Sequence, residues 1–373
     1  MRDTKTAVLT SQSDKRSRLI YVLYCGNLNG TEKMALATSS AVSKNYTDVL
    51  LLAPPGYGAY TLAQGAKDFN DIRVETFHGS LDLFKRLFQA CLHTRRIDFI
   101  AASVSQSLMC FLVSTTLFRR GTHLHVVHGG NDLFRDLRQK KLLNWLPMQF
   151  IAVSQFIKRA LIANGVRESK IVVIENFLLD MEKGHSENTQ CATKAVDRSF
   201  RYRVVLVARA DTVKRIDLVI QAARLGLLGD ILVEILGDGP LLETYRSQSA
   251  DLKNLVFHGY ENDVSTRIKD ADALLHTCPV EAFGLVVLEA FGAKIPVVVP
   301  DAGGTAEIVI DRINGRQFVA NDVHSMCEVL REVLKMSDAA RHAMVETAYN
   351  DLQVRYSLSR GTTAYAKALG LTP

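Results

Sequence analysis

The sequence predicts an α/β protein of two domains, each built on a parallel sheet, and three observations carry that prediction. A length of 373 residues is too great for one compact module and too small for three full-sized ones. Short apolar runs alternate with helical patterns throughout, as βαβ units require. A polar stretch without periodicity, MEKGHSENTQCATKAVDRSF, divides those runs into two sets. The first set gives strands at 19–24, 48–53, 73–77, 97–102, 123–127, 149–153 and 171–174. The second gives strands at 203–207, 232–236, 255–257, 273–276, 295–299 and 317–319. The expected organisation is a first domain over 1–180, a linker over 181–202, a second domain over 203–350, and a closing helix over 351–373 that packs back across either domain.

Composition narrows the class. A 47% hydrophobic content, 23% charged residues and only 8 prolines exclude a disordered or low-complexity chain. The net charge of +6 is mild and does not imply nucleic-acid binding. It is unevenly placed: residues 1–180 carry +9 and residues 181–373 carry −3, so the first half is the one suited to an anionic partner. Six cysteines, with no CxxC pair and no cysteine/histidine cluster at zinc spacing, argue against a disulfide framework or structural metal. The polar, basic opening MRDTKTAVLTSQSDKRSRL has no apolar export segment after it, and a cytoplasmic location is expected.

Residues 99–118 hold no charge for 20 positions, long enough to span a bilayer. Seven of them are Ser, Thr or Gln, which suits a strand, a polar break and a buried helix over 108–118 better than hydrocarbon.

The segment from Cys278 to Pro300, CPVEAFGLVVLEAFGAKIPVVVP, is the richest in chemistry. It places Glu281 in a loop after a strand, Gly284 near a helix start, and Glu289 about a turn and a half inside. The free amides of a helix's first turn, at the positive end of its dipole, suit a phosphate. A carboxylate such as Glu289 accepts two hydrogen bonds from a vicinal diol. Arg209 and Lys214 follow the first strand of the second half, where two cations could meet one diphosphate. Gly303-Gly304 permits a left-handed turn and close approach to a ligand, and Gly237-Asp238-Gly239 reads as a turn. In the first half, Gly30 opens a helix after the first strand, and His128 stands at a strand's carboxyl end. Singly, each of these residues reads as solvated or structural; it is their combination that carries weight.

In this order, the segments resemble the retaining, nucleotide-sugar-dependent glycosyltransferases of the GT-B fold, specifically family 4 (glycosyl transferases group 1). The resemblance rests on Glu281 and Glu289 around Phe283-Gly284, on Arg209 with Lys214, and on Gly30 to Glu32. Val153-Ser154 leading to 171–176, and Gly303-Gly304 to Glu307 and Asn314-Gly315, support it. It implies two Rossmann-like domains with parallel sheets facing across a cleft, the donor held mainly by the second and the acceptor by the first. It also implies roles: Glu289 on the ribose, Arg209 and Lys214 on the diphosphate, and Glu281 with the amides of Phe283, Gly284 and Leu285 on the donor sugar. Gly30 would approach the phosphate, and His128 the sugar near its reacting carbon. Ala208 and Arg215 stand where the family usually has glycine, and Asn29 where a second glycine is common.

The resemblance suggests retention at the anomeric carbon without a protein nucleophile, fixed cations and helix amides stabilising the leaving diphosphate. No Asp-x-Asp pair sits in a suitable setting, so neither metal nor cofactor is expected. The expected reaction moves a hexosyl unit from a UDP- or GDP-sugar to a glycan or lipid-linked acceptor, in bacterial surface polysaccharide or lipopolysaccharide assembly. The alternatives are a nucleotide-sugar epimerase of the same fold and a non-catalytic sugar-nucleotide-binding subunit; a dehydrogenase is disfavoured because GxGxxG is absent. The segment 134–145, with Arg135, Arg138, Lys140, Lys141, Leu142, Leu143 and Trp145, suits either the surface of an anionic membrane, on its inner face, or an ordinary amphipathic helix.

Overall fold

The structure is a computed structural model that describes residues 17–24, 30–56, 72–129, 137–178, 200–261 and 264–371. Residues 181–199 of the linker expected over 181–202 lie outside the described residues, as do Asn29, Phe134 and Arg135. The chain divides into two compact units, one of residues 1–153, 158–175 and 358–373, the other of 154–157 and 176–357.

The first unit carries seven strands: β1 (Ser17–Val22), β2 (Asp48–Ala53), β3 (Ile72–Thr76), β4 (Arg96–Ala101), β5 (His123–Val127), β6 (Gln149–Ala152) and β7 (Ile171–Val173). They lie in the order β3-β2-β1-β4-β5-β6-β7, and every pairing is parallel. The second unit carries β8 (Tyr202–Val207), β9 (Ile231–Leu236), β10 (Leu255–Gly259), β11 (Ala273–Leu275), β12 (Val297–Pro300) and β13 (Arg316–Phe318). Their order is β10-β9-β8-β11-β12-β13, again parallel throughout. All thirteen expected strands are present, with ends shifted by no more than two residues. They were legible because helices cover both faces of such a sheet, so the central strands are continuous apolar runs. Ile20, Val22, Leu50 and Leu52 in one unit, and Val204, Leu206, Val233 and Ile235 in the other, are buried in separate cores.

Both sheets reverse direction at one place, between β1 and β4 and between β8 and β11. In open parallel sheets ligands bind at such a reversal, outside the carboxyl ends of the strands. In the second unit that position belongs to the loops after β8 and β11.

Two expectations need correction. The helix expected over 108–118 begins at Val104 and ends at Thr116. Ser103 caps it by accepting from the Gln106 amide at 3.3 Å, and the polar residues read as a break form its first turn. Gln106 Nε2 donates to the Leu23 carbonyl at 2.7 Å, and the Ser107 hydroxyl lies 2.8 Å from His125 Nδ1, so these groups fasten the helix to the sheet. No helix among the described residues is long and apolar enough to cross a membrane. The segment 351–373 is not one helix: the helix Asp338–Arg355 ends within it, and a second helix, Leu358–Ala368, follows. The latter belongs to the first unit, where it packs on the helix Gly30–Val42.

Candidate functional site

In the second unit the chain leaves β8 through Ala208 and Arg209 and turns at Asp211. The Asp211 carboxylate accepts from the amides of Val213 and Lys214, both at 3.1 Å, and so caps the short turn Thr212–Lys214. That turn directs Lys214 inward. The loop after β11 meets it: Thr277 Oγ1 donates to the Lys214 carbonyl at 2.6 Å, and the Lys214 ammonium pairs with Glu281 Oε2. Lys214 and Glu281 are thus joined at the reversal point of the sheet.

The pair sets its own charge state. Burial works against both ions, but each overcomes it through the other: the Lys214 pKa is raised by Glu281, and the Glu281 carboxyl is lowered by Lys214 and, less strongly, by His276. His276 Nε2 lies 3.6 Å from Glu281 Oε2, and burial depresses the imidazole to about 4, so the ring is neutral at physiological pH. Cys278 is buried beside them, its thiol pushed up to about 11 by burial.

Three residues after Glu281, Gly284 caps the helix Leu285–Gly292 with φ of 100°. A side chain there would be strained by that φ, and its Cβ would stand 2.6 Å from Thr305 Cγ2. The Phe283 ring is buried edge-on to Tyr356, at 5.9 Å, so position 283 offers its backbone rather than its ring. Glu289 is the fifth residue of the helix and is half-buried.

Gly303 and Gly304 serve the site differently from the expectation of close approach to a ligand. A Cβ at Gly304 would fall 2.2 Å from the Ala282 carbonyl oxygen, and one at Gly303 3.0 Å from the Glu281 nitrogen. What approaches closely is the protein's own 279–283 loop, and the Gly304 amide donates to the Glu281 carbonyl at 2.6 Å. Gly237 and Gly239 do likewise beneath the loop of Arg209: their Cβ atoms would meet the carbonyls of Ala208 at 2.0 Å and Ala210 at 2.5 Å. Asn314 is structural, accepting from the Ile310 amide at 2.6 Å and donating to Asp351 at 2.7 Å.

Arg209 is not drawn into the Lys214–Glu281 pair. Its side chain is exposed, with Nε 3.8 Å from Asp211. Arg215 adopts a left-handed φ of 55°, which accounts for the glycine usual at that position in the family the sequence resembles. The chain tolerates arginine at that angle through bonds from the guanidinium to Asp217 and Asn321. Ala208 is not among the positive-φ residues, so its substitution for glycine requires no special backbone angle.

In the first unit, Gly30 is the exposed first residue of the helix Gly30–Val42, and Glu32 is buried in its first turn. His128 follows β5, mostly buried, with Nε2 3.0 Å from the Tyr21 hydroxyl. Burial depresses the imidazole to about 4, leaving it neutral, while burial raises the Tyr21 phenol. Reading the sequence alone missed Tyr21, Asp211, His276 and Thr277. Tyr21 and His276 lie in or beside apolar runs that read as core strand, and Asp211 carried a signal, an Asx cap before a turn, that was available.

The described residues thus form two parallel sheets with the same reversal of strand order, with a cationic loop facing a carboxylate at one of them. Residues 196–351 match the family of glycosyl transferases group 1, and residues 28–178 match glycosyltransferase family 4. The chain belongs to this family of GT-B glycosyltransferases. The O-antigen biosynthesis glycosyltransferase WbnH of Escherichia coli is 26% identical over 202 residues, which are 50% of this chain and 53% of that protein. The lipopolysaccharide glucosyltransferase WaaG of Escherichia coli K12 is 38% identical over 108 residues, 28% of this chain and 29% of that protein. The chain thus spans about half the length, or less, of these curated relatives. In fold, the chain is similar to Anabaena Alr3699/HepE, solved in complex with UDP and glucose, with a TM-score of 0.80, 18% identity and coverage of 95% of this chain and 99% of that one.

Proposed function

We propose that the protein is a retaining, metal-independent glycosyltransferase. In this reading it moves a hexosyl unit from a UDP- or GDP-sugar to a glycan or lipid-linked acceptor in bacterial surface polysaccharide or lipopolysaccharide assembly. The observation that carries the proposal is the Lys214–Glu281 pair beside the Gly284-capped helix, at the reversal point of the second sheet. The relatives' names, in O-antigen and lipopolysaccharide biosynthesis, support the setting.

Departure of a diphosphate from the anomeric carbon leaves negative charge on the bridging oxygen and positive charge on the sugar. The Lys214 ammonium and the first-turn amides of Gly284 and Leu285 oppose the former, fixed in place before the reaction starts. Arg209, exposed and held only at 3.8 Å from Asp211, is free to swing onto the same diphosphate. Glu281, ionised and anchored through its backbone, accepts from sugar hydroxyls, and Glu289 accepts from the ribose diol. In the first unit, the neutral His128 ring suits a sugar hydroxyl and the Gly30 amide suits a phosphate. The departing phosphate oxygen takes the acceptor's proton on the face it leaves, which retains the anomeric configuration.

The same reading places the protein at an anionic membrane through Leu142 and Trp145, the latter 82% exposed, with Arg138 and Lys141 alongside. Lys140 does not take part, contrary to the expectation for 134–145: it is fully buried, in one turn of helix followed by a 3-10 turn.

A thermal-shift panel of sugar nucleotides tests the proposal, since a ligand of the folded state raises its melting temperature. A UDP- or GDP-sugar should raise it, and Glu289→Ala should abolish the response. Conversion of a donor into its epimer without acceptor would overturn transfer as the reaction.

A further inference from the structure

We propose that His276, Cys278 and Glu281 form a binding site for a thiophilic divalent cation of the Zn2+ type, and that the bound cation excludes the donor by drawing Glu281 away from Lys214. The second clause rests on the proposed function; the first does not.

The three side chains come from one loop after β11, and their donor atoms lie within 4.8 Å of one another. His276 is buried, and its Nε2, 3.6 Å from Glu281 Oε2, has no hydrogen-bond partner. An unsatisfied ring nitrogen in that position is costly unless something fills it. Imidazole, thiolate and carboxylate are the donors that zinc accepts, with bond lengths of about 2.0–2.3 Å and tetrahedral geometry. Such bonds place ligand atoms about 3.3–3.8 Å apart, so the cluster needs to contract by no more than about 1.5 Å. Three protein donors leave a fourth position open.

The loop is also preassembled. The Gly304 amide holds the Glu281 carbonyl, and Thr277 ties the loop to Lys214. Cys278 is a free thiol with no competing disulfide.

Lys214 is the rival for Glu281. As the metal–sulfur bond forms, the Cys278 proton passes to solvent, and the thiolate and carboxylate together balance the divalent charge. The Lys214 ammonium then loses its ion-pair partner and turns outward, a quarter of its side chain being exposed already. The cluster is neutral before and after, so the exchange carries no net charge into the interior. The cation and a donor each require Glu281, and so they compete.

Titration of the purified full-length protein with Co2+, a spectroscopic stand-in for zinc, tests the site. The expected result is a thiolate-to-cobalt charge-transfer band with tetrahedral visible bands, bleached by one equivalent of Zn2+. Cys278→Ser should lose the charge-transfer band, and His276→Ala should weaken binding by about tenfold or more, with circular dichroism unchanged in both. A wild-type spectrum without the thiolate band, or the same band in Cys278→Ser, overturns the site. In a second arm, saturating Zn2+ should raise the apparent Kd of UDP-glucose about tenfold in the wild type and leave it unchanged in Cys278→Ser. A cobalt site with an unaffected nucleotide response overturns exclusion alone. Absence of any response to UDP-glucose or GDP-mannose in the metal-free protein counts against the glycosyltransferase reading and its exclusion clause, while the cobalt spectrum still decides the site.

Discussion

Replacing Lys214 by Met should destabilise the second unit through the anion it leaves behind. The Lys214 and Glu281 side chains are 24% and 17% exposed, so the pair is mostly but not wholly removed from water. Breaking a fully buried pair costs about 3–5 kcal/mol, and partial solvent access lowers the figure here to about 2–3 kcal/mol. In a unit of this size that is a fall in melting temperature of about 4–12 °C. Neutralising the partner should recover most of it: Lys214→Met/Glu281→Gln should be more stable than Lys214→Met alone, with a coupling energy of about 1–3 kcal/mol. Urea denaturation of the four proteins of the cycle measures this. The pH dependence has a defined sign. Glu281 is lowered, so its contribution is present above the unfolded carboxyl range, about 4.3, and is lost as pH falls through the folded value below it. Lys214 is raised, so its contribution is complete below about 10.4 and is lost as pH climbs through its folded value. The wild type and Lys214→Met should therefore differ most between these limits. Additive single substitutions, or a difference that persists unchanged at pH 3, would refute the reasoning.

Other outcomes follow from the same geometry. Gly284→Ala should cost about 1–3 kcal/mol by thermal denaturation, and Thr305→Ser, which removes the methyl 2.6 Å from the new Cβ, should restore part of that. Arg215→Gly should leave stability within about 1 kcal/mol of wild type, since relief of the left-handed strain offsets lost bonds and added chain entropy. Tyr21→Phe should lower kcat while leaving the thermal response to donor intact, because it removes the hydroxyl 3.0 Å from His128 without touching the second unit. His123, His128 and His276 are each depressed to about 4, so the unfolded chain binds more protons between pH 6.5 and 4, and melting temperature should decline across that window.

The sheets were legible because a strand covered on both faces must be apolar along its length, and those runs stand out from the amphipathic helices between them. Glu281, Gly284 and Glu289 were legible for a different reason: a loop, a cap and a helical turn fix their spacing in the chain itself. Arg209 and Lys214 look alike in sequence, yet only Lys214 meets Glu281, because the Asp211 cap turns the chain between them. That choice depends on a loop's three-dimensional path. The glycines at 303 and 304 announced close approach correctly but not its object, since an absent side chain records that space is needed and not what fills it. Lys140 was misplaced for a related reason: a basic residue in a mixed segment reads as solvated until the fold shows it buried.

The central claim is that a sugar nucleotide lodges its diphosphate at Lys214 and the first turn of the helix Leu285–Gly292. Crystals of the protein soaked in turn with UDP-glucose and GDP-mannose test it most directly. The account predicts diphosphate density against the Gly284 and Leu285 amides and within reach of the Lys214 ammonium, with the ribose at Glu289. Density for the nucleotide elsewhere on the protein, with the Lys214–Glu281 pair undisturbed and the helix start bare, would contradict it.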